Sequence, residues 1–343
     1  MHGINMEAMD NLISLDHGSG GRKTHKLIRD VFAGKFGIGE PMTDSAILHE
    51  SWTILAFTTD SYVVDPLFFP GGNIGKLAVC GTVNDLAVSG ALPKYLSAAF
   101  IIEEGFSVNS LIEIAESMSA EALAAGIRIV AGDTKVVEKG KCDKLFITTA
   151  GTGILKQGLE HISTGEKIKP GDKILLNGSL GGHEIAVLGA RKELSFTTPV
   201  HSDCACLNHI IGKVMEYSDA ILFMRDLTRG GLATALNELT LMTGREIIID
   251  EKSVPVDDPV KGLCEVLGFD PLYLANEGKL IIVVRNGKEQ MVLDAMKKDP
   301  LGSKSEIIGE VTSGTNIRVL LNTLTGGKRI LEMHSGSQLP RIC

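Results

Sequence analysis

Apolar and polar residues alternate along the first half of the chain with two periods, one typical of strands and one typical of helices. The runs W-T-I-L-A-F-T-T-D at 52–60 and K-Y-L-S-A-A-F-I-I at 94–102 predict strands. The segments 73–87 and about 108–125 carry apolar residues at helical spacing, and strands are again predicted at 127–137 and 144–155. Alternating strands and helices predict a layered α/β fold.

A polar segment with turn residues, 156–172, interrupts this pattern, and we place a domain boundary there. A second α/β set follows it. Its strands are predicted at 172–178, 220–226, 246–250, 280–285 and 306–311, and its helices begin at Gly182, Asp203 and Arg229 and near Gln290.

The last 30 residues are predicted to form a β-hairpin followed by a tail. The hairpin turns at Thr325-Gly326-Gly327, and after Met333 no periodicity remains, so 334–343 is predicted to be a mobile tail that ends in Cys343. The expected organisation is a glycine-rich segment at 1–40, an N-terminal domain at 41–157, a C-terminal domain at 165–313, and the hairpin and tail at 314–343.

Composition and charge narrow the classes of protein that fit. The apolar content of 44 % provides a large core, and the net charge of −8 argues against nucleic acid as the main partner. The sequence contains no apolar run of about 18 residues, so no membrane span is predicted. The first ten residues lack the features of a secretory leader, and none of the six cysteines forms a C-x-x-C pair, so we expect a reducing, cytoplasmic setting.

Of the four aspartates Asp44, Asp60, Asp85 and Asp133, three lie at the edge of an apolar run or interrupt one. An ionised carboxylate there is costly unless it is paired or binds a metal. Several converging carboxylates would suit Mg²⁺ bridging to phosphate groups. Each aspartate alone is equally well explained as a helix cap or a turn residue.

Glycine-rich segments provide candidate anion sites. H-G-S-G-G-R-K-T at 17–24 does not match a P-loop, but free N–H groups at a helix start still favour phosphate. In R-D-L-T-R-G-G at 225–231, Thr228 is a candidate cap with Arg229 beside it, although an ordinary capped helix explains this segment as well. Asn276 and Glu277 precede a buried strand, where they form a turn or supply a functional carboxylate.

Taken together, these motifs resemble the aminoimidazole-ribonucleotide-synthetase-like superfamily. The resemblance is carried in order by H-G-S-G-G, T-T-D-S, I-G-K-L-A-V-C-G-T-V-N-D-L-A, A-G-D-T-K-V, P-G-D-K-I-L-L, R-D-L-T-R-G-G-L-A-T-A-L-N-E and A-N-E-G. It spans nearly the whole chain and implies two α/β domains of that type. The terminal P-R-I-C is similar to the HypE family of hydrogenase maturation factors within this superfamily.

The resemblance implies a reaction and its partners. A carbamoyl group would be placed on Cys343 by the carbamoyltransferase HypF, dehydrated to a thiocyanate with ATP and Mg²⁺, and passed as cyanide to iron on a HypC–HypD complex for [NiFe]-hydrogenase. Superfamily members are commonly homodimers with the nucleotide near the junction of two N-terminal domains, and we expect the same here.

The resemblance also assigns roles to individual residues. Glu277 is the first choice for the base that removes amide protons, Asp85 the second and His17 a weaker third. Magnesium would be held by Asp44, Asp60, Asp85 and Asp133. The nucleotide would contact His17, Gly20, Gly21, Lys23, Asn84, Asp133, Thr134, Arg229, Gly230 and Asn276.

The tail fits the role of a carrier. The ten residues from His334 to Cys343 span up to about 33–36 Å when extended, which is the width of a domain. Two alternatives stay open: a phosphotransferase of the thiamine-monophosphate-kinase type, for which Cys343 is dispensable, and a carrier without enzymatic activity.

Overall fold

The computed structural model describes residues 21–27, 29, 43–50, 53–191, 198–314, 316–333 and 339–343. Helices and strands alternate through most of it, so the α/β prediction is confirmed. Among these residues, no helix is both long and apolar enough to cross a bilayer.

A five-stranded sheet organises the first half of the chain, with the strand order β1-β2-β7-β5-β6. Strands β5 and β6 are parallel, and the other neighbours in this sheet are antiparallel. The strands are β1 (Ala46–Glu50), β2 (Thr53–Tyr62), β5 (Leu92–Glu103), β6 (Arg128–Val137) and β7 (Leu145–Leu155), with a two-stranded ribbon β3 (Phe68–Phe69) and β4 (Gly72–Asn73) before the first long helix.

Helix α2 (Ile74–Val88) forms the centre of this half. Asn73 caps it by accepting hydrogen bonds from the N–H groups of Gly75 and Lys76. Thirteen of its 15 residues are buried, as expected for a helix that is apolar on all sides. Gly81 is required here because a Cβ at this position would lie 2.2 Å from the Tyr62 hydroxyl. The close approach of α2 to β2 brings Asp85 next to the end of that strand.

The second half is built on a seven-stranded sheet with the order β14-β13-β10-β12-β8-β11-β9. Every residue of β11 (Leu280–Val284) is buried, because layers of side chains cover both faces of this strand. The other strands are β8 (Lys173–Leu176), β9 (Ile221–Asp226), β10 (Ile247–Asp250), β12 (Glu306–Val311), β13 (Val319–Asn322) and β14 (Lys328–Leu331).

Short helices connect these strands and cover the sheets. The remaining α-helices are α1 (Arg22–Leu27), α3 (Val108–Ala125), α4 (His161–Thr164), α5 (Gly182–Gly189), α6 (Asn208–Val214), α7 (Gly231–Thr243), α8 (Asp258–Leu267) and α9 (Glu289–Lys297). Short 3₁₀ segments are found at Met215–Ala220, Glu251–Ser253, Pro271–Tyr273 and Pro300–Gly302.

Most of the predicted elements are confirmed, including α3 and the terminal hairpin, whose strands pair Val319 with Leu331. Two expectations are wrong. The helix expected from Asp203 begins at Asn208, because the Asp203 carboxylate instead accepts hydrogen bonds from the N–H groups of Glu277 and Gly278. Thr228 does not cap α7, since the cap position is Gly230 with a φ of 68°.

Candidate active site

A cavity of about 210 Å³ lies where the two halves of the chain meet. It is walled by the end of β2, one side of α2, the end of β9, the loop before α7, the residue pair before β11, and the chain end. Its lining residues are Thr43, Asp44, Thr58, Thr59, Asp60, Ser61, Tyr62, Gly81, Asp85, Asp226, Thr228, Arg229, Glu277 and Cys343.

Three aspartates converge on one side of this cavity. A carboxylate oxygen of Asp44, one of Asp85 and one of Asp226 all lie within 4.8 Å of one another. Burial raises the pKa of Asp44 to about 6, and burial together with the neighbouring acids raises the pKa values of Asp85 and Asp226 well above the usual range. Such a cluster is unfavourable when ionised unless a cation neutralises it.

The donor set suits a hard divalent cation. Thr58 Oγ1 donates to Asp85 Oδ2 at 2.8 Å, which leaves the other carboxylate oxygen of Asp85 available. Asp226 Oδ2 is buried and has no hydrogen-bond partner within the described part of the chain. Oxygen ligands of this kind are those that Mg²⁺ prefers, so the residues present fit the metal that the sequence predicts.

Two arginines balance part of this negative charge. Arg225 Nε lies 3.0 Å from Asp44 Oδ2, and its guanidinium also pairs with Glu238. Burial disfavours the charge of Arg229, but the ionised forms of Cys343 and of the neighbouring aspartates raise its pKa above the usual value. Arg229 therefore remains a cation at the cavity wall, where it suits an anionic group.

The chain end docks into this cavity. The Val63 N–H donates to the backbone oxygen of Cys343, and the Asp65 N–H donates to the Arg341 carbonyl, both at 3.1 Å. These hydrogen bonds pair residues 341 and 343 with the segment after β2, and the mobility of the tail stays a prediction. Residues 334–338 lie outside the described part of the chain.

Two side chains of the second half also hold the tail. Arg191 Nη2 donates to the carbonyls of Pro340 at 2.6 Å and Arg341 at 2.9 Å, and a ring nitrogen of His183 lies 2.9 Å from the Ile342 carbonyl. Burial lowers the pKa of His183, so the ring is neutral and donates to that carbonyl. These contacts fix the position of Cys343 beside the acidic cluster.

Glu277 and Cys343 share the cavity as a pair of proton-binding groups. The pKa of Glu277 is raised well above the usual range, mainly by burial and next by the charge of the neighbouring Cys204. Burial, followed by the charge of Glu277, raises the pKa of the Cys343 thiol to about 12. A buried carboxyl group with a raised pKa binds a proton more strongly than a solvated one, which suits proton transfer in the reaction.

The structure therefore brings together six of the predicted residues: Asp44, Asp60, Asp85, Arg229, Glu277 and Cys343. Three others support the cavity from outside it. Gly230 starts α7 next to Arg229, and the side chains of Asn84 and Asn276 hydrogen-bond backbone groups of neighbouring loops.

The remaining predicted residues lie elsewhere. Asp133 and Thr134 are exposed on the edge strand β6, where Asp133 pairs with Lys135 at 3.0 Å. Gly21 and Lys23 lie at the start of α1, whereas His17 and Gly20 fall outside the described residues.

Sequence reasoning missed Asp226, although it singled out the segment R-D-L-T-R-G-G. The available signal was an aspartate at the end of an apolar strand, the same signal that identified Asp60. Thr58 and Tyr62 were also missed; the Tyr62 hydroxyl donates to Asp60 Oδ2 at 3.2 Å.

Comparison with known proteins agrees with this architecture. The family model for the N-terminal domain of AIR synthase related proteins matches residues 42–155, and the model for their C-terminal domain matches residues 169–322. Carbamoyl dehydratase HypE of Rhodobacter capsulatus is 48 % identical over 98 % of this chain and 100 % of its own length. The chain belongs to the HypE family. HypE of Escherichia coli K12 is 44 % identical over 97 % of this chain and 100 % of its own length.

Solved structures of HypE proteins superpose over most of the chain. A HypE–HypF complex contains a chain that is 48 % identical, with a TM-score of 0.84 over 90 % of this chain and 99 % of that one. HypE in complex with ATP is 44 % identical, with a TM-score of 0.81 over 96 % and 99 % of the two chains. Thiamine monophosphate kinase of Aquifex aeolicus, at 18 % identity and a TM-score of 0.65 over 90 % and 99 %, shares the fold alone.

Proposed function

We propose that the chain catalyses the ATP-dependent dehydration of a carboxamide carried on Cys343, which yields a thiocyanate. The observation that carries this proposal is the docking of the C-terminal thiol into a cavity lined by aspartates, Arg229 and Glu277. A relative of 44 % identity has been solved with ATP, which supports nucleotide binding by this fold. A kinase acting on a small molecule has no need to bring its own chain end to this place.

The chemistry follows from the difficulty of expelling an amide oxygen. The oxygen of the S–C(=O)–NH₂ group attacks the γ-phosphorus of ATP, and ADP leaves. The nitrogen then loses two protons while the C–O bond breaks, so that S–C≡N and inorganic phosphate form. Water is thus removed in the form of phosphate, and ATP supplies the leaving group.

Glu277 is the group best suited to accept the nitrogen protons. It lines the same cavity as Cys343, and its raised pKa makes its carboxylate a stronger base than that of a solvated glutamate. General-base help of this kind contributes about 10²–10⁴ in rate. Magnesium, held by Asp44, Asp85 and Asp226, would neutralise phosphate oxygens. Asp60 lies beside these residues, and Arg229 orients an anionic group by its positive charge.

We also propose that two chains associate through β6. This edge strand is exposed along nearly its whole length and carries Val130 and Val136, which are 56 % and 67 % exposed. An exposed apolar edge of this kind favours pairing with a second sheet. Association would shield these side chains and supply Asp133 and Thr134 to a nucleotide near the junction. Sedimentation of Val136→Glu, which is expected to be monomeric, tests the pairing.

The partners follow from the same reaction. HypF is the proposed carbamoyl donor, supported by the solved complex of a relative with it. A HypC–HypD complex is the proposed acceptor of the cyanide. The proposed location of the protein is the cytoplasm.

Intact-mass spectrometry tests the function directly. After incubation with HypF, carbamoyl phosphate and ATP, the chain is expected to gain one carbamoyl group and then to lose one water. The Cys343→Ala variant is expected to stay unmodified, and ATP consumption by the unmodified chain is expected to be low. Carbamoylation at another cysteine, or water loss without ATP, contradicts the proposal.

A further inference from the structure

Three of the six cysteines meet in the interior, outside the catalytic cavity. Cys80 lies on α2, and Cys204 and Cys206 lie on the segment before α6, which belongs to the other half of the chain. All three are buried, and the sulfurs of Cys80 and Cys206 are 3.7 Å apart. Cys204 also lies within interaction distance of Cys80.

A carboxylate joins this group from α3. One oxygen of Glu121 and the sulfurs of Cys80 and Cys206 all lie within 4.8 Å of one another. The side chain of Glu121 is 20 % exposed and lies 4.0 Å from the Lys76 ammonium group, so the cluster has a route to the surface. The atoms that meet are therefore two thiols and one carboxylate, from three separate segments.

The spacing of these atoms fits a tetrahedral metal site. Zinc–sulfur bonds of about 2.3 Å place two sulfur ligands of a tetrahedron about 3.8 Å apart. The observed 3.7 Å separation matches that edge. A disulfide between Cys80 and Cys206 would use only two of these three groups.

We propose that Cys80, Cys206 and Glu121 bind one zinc ion or a similar thiolate-preferring divalent ion. Such a site would link α2 and α3 of the first half to the segment 204–206 of the second. Asn84 on α2 already bonds this segment, through the Leu207 N–H at 2.7 Å and the Ala205 carbonyl at 3.1 Å. The ion would hold in place the helix that carries Asp85, independently of the reaction proposed above.

Cobalt substitution tests the site with a readout that is independent of activity. In a Cys343→Ser background, which removes the tail thiol, Co²⁺ is expected to give the sulfur-to-metal charge-transfer and tetrahedral ligand-field absorption of a thiolate site. Adding Cys206→Ser is expected to abolish this absorption. Adding Cys264→Ser, which alters a buried cysteine of α8, is expected to leave it unchanged.

A second measurement covers the case in which Cys206→Ser folds poorly. The Cys343→Ser protein, loaded with Zn²⁺ and desalted, is expected to retain about one zinc per chain and to release protons as the thiols ionise. Its Tm should fall when a chelator removes the ion. Absence of thiolate–cobalt absorption in the folded protein, its persistence in Cys206→Ser, or oxidation of Cys80 and Cys206 to a disulfide during purification under reducing conditions overturns the proposal.

Discussion

Arg191 is the side chain whose removal most directly tests the docking of the tail. Its guanidinium donates to two tail carbonyls, those of Pro340 and Arg341, and its Nε donates to the Asp65 carbonyl at 2.9 Å. The Arg191→Ala substitution removes both links to the tail and leaves the hydrogen bonds from Val63 and Asp65 to the tail backbone.

The magnitude follows from these two charge-assisted hydrogen bonds. Each contributes about 1.5–3 kcal/mol, and the lower end applies because Arg191 is only partly buried. The loss is therefore about 3 kcal/mol, and a change of 1.4 kcal/mol alters an equilibrium tenfold. The ratio of docked to released tail is expected to fall about 100-fold.

The alkylation rate of Cys343 measures this ratio. In the docked state the pKa of the thiol is raised to about 12, so that almost no reactive thiolate exists at neutral pH. Alkylation with iodoacetamide is followed on the C-terminal peptide by mass spectrometry. The rate should be up to about 100-fold higher in Arg191→Ala, and it cannot exceed the rate of a tail that is fully released.

Two variants complete the experiment. Arg191→Lys keeps the charge but loses the forked geometry, and an intermediate rate is expected. Arg329→Ala, which breaks an exposed ion pair with Asp270 of 2.7 Å, is the matched control and should react like the unchanged protein. An Arg191→Ala rate equal to that of the control would show that Arg191 does not hold the tail.

Three further predictions follow from the same structure. Asp85→Asn is expected to lower dehydration at least about 100-fold in the mass assay. Its Tm should be equal or higher, because one of several buried acids is removed, and a fall in Tm would contradict this reasoning. Burial raises the pKa of Glu184 from 4.5 to about 7. The unfolded chain therefore releases this proton at a lower pH than the folded protein, and the free energy of unfolding falls by about 3 kcal/mol as pH rises from 4.5 through 7. The free energy of unfolding, measured with urea at pH 5 and pH 8, should fall between these pH values in the unchanged protein, and Glu184→Gln should not show this fall. Gly231→Ala is expected to destabilise the fold by about 2–4 kcal/mol, since φ is 57° and the new Cβ would lie 2.5 Å from the Leu274 carbonyl oxygen. Gly212→Ala is the control, because Gly212 lies in a helix with open space around it, and this substitution should not destabilise the fold.

Local pattern was sufficient for much of the fold. The apolar period of α3, the Asn73 cap of α2 and the glycine turn of the hairpin are each specified by residues close together in the chain. Secondary structure of this kind depends on neighbouring side chains and caps, so it can be predicted from a short window.

The candidate site was predicted in part, residue by residue, from carboxylates on apolar elements. That signal selected Asp44, Asp60 and Asp85, and it selected Asp133 equally, although Asp133 lies on an exposed edge. It passed over Asp226, because the cost of an acidic group depends on its neighbours in three dimensions.

The sequence by itself determined the alternation of helices and strands, the glycine turns and a chain end that carries a thiol. The tertiary structure alone decided that residues 44, 85 and 226 share one cavity, that Arg191 and His183 hold the tail, and that three cysteines meet. The physical reason is that such contacts arise when distant apolar surfaces pack together, and their geometry depends on the whole core and not on any one segment.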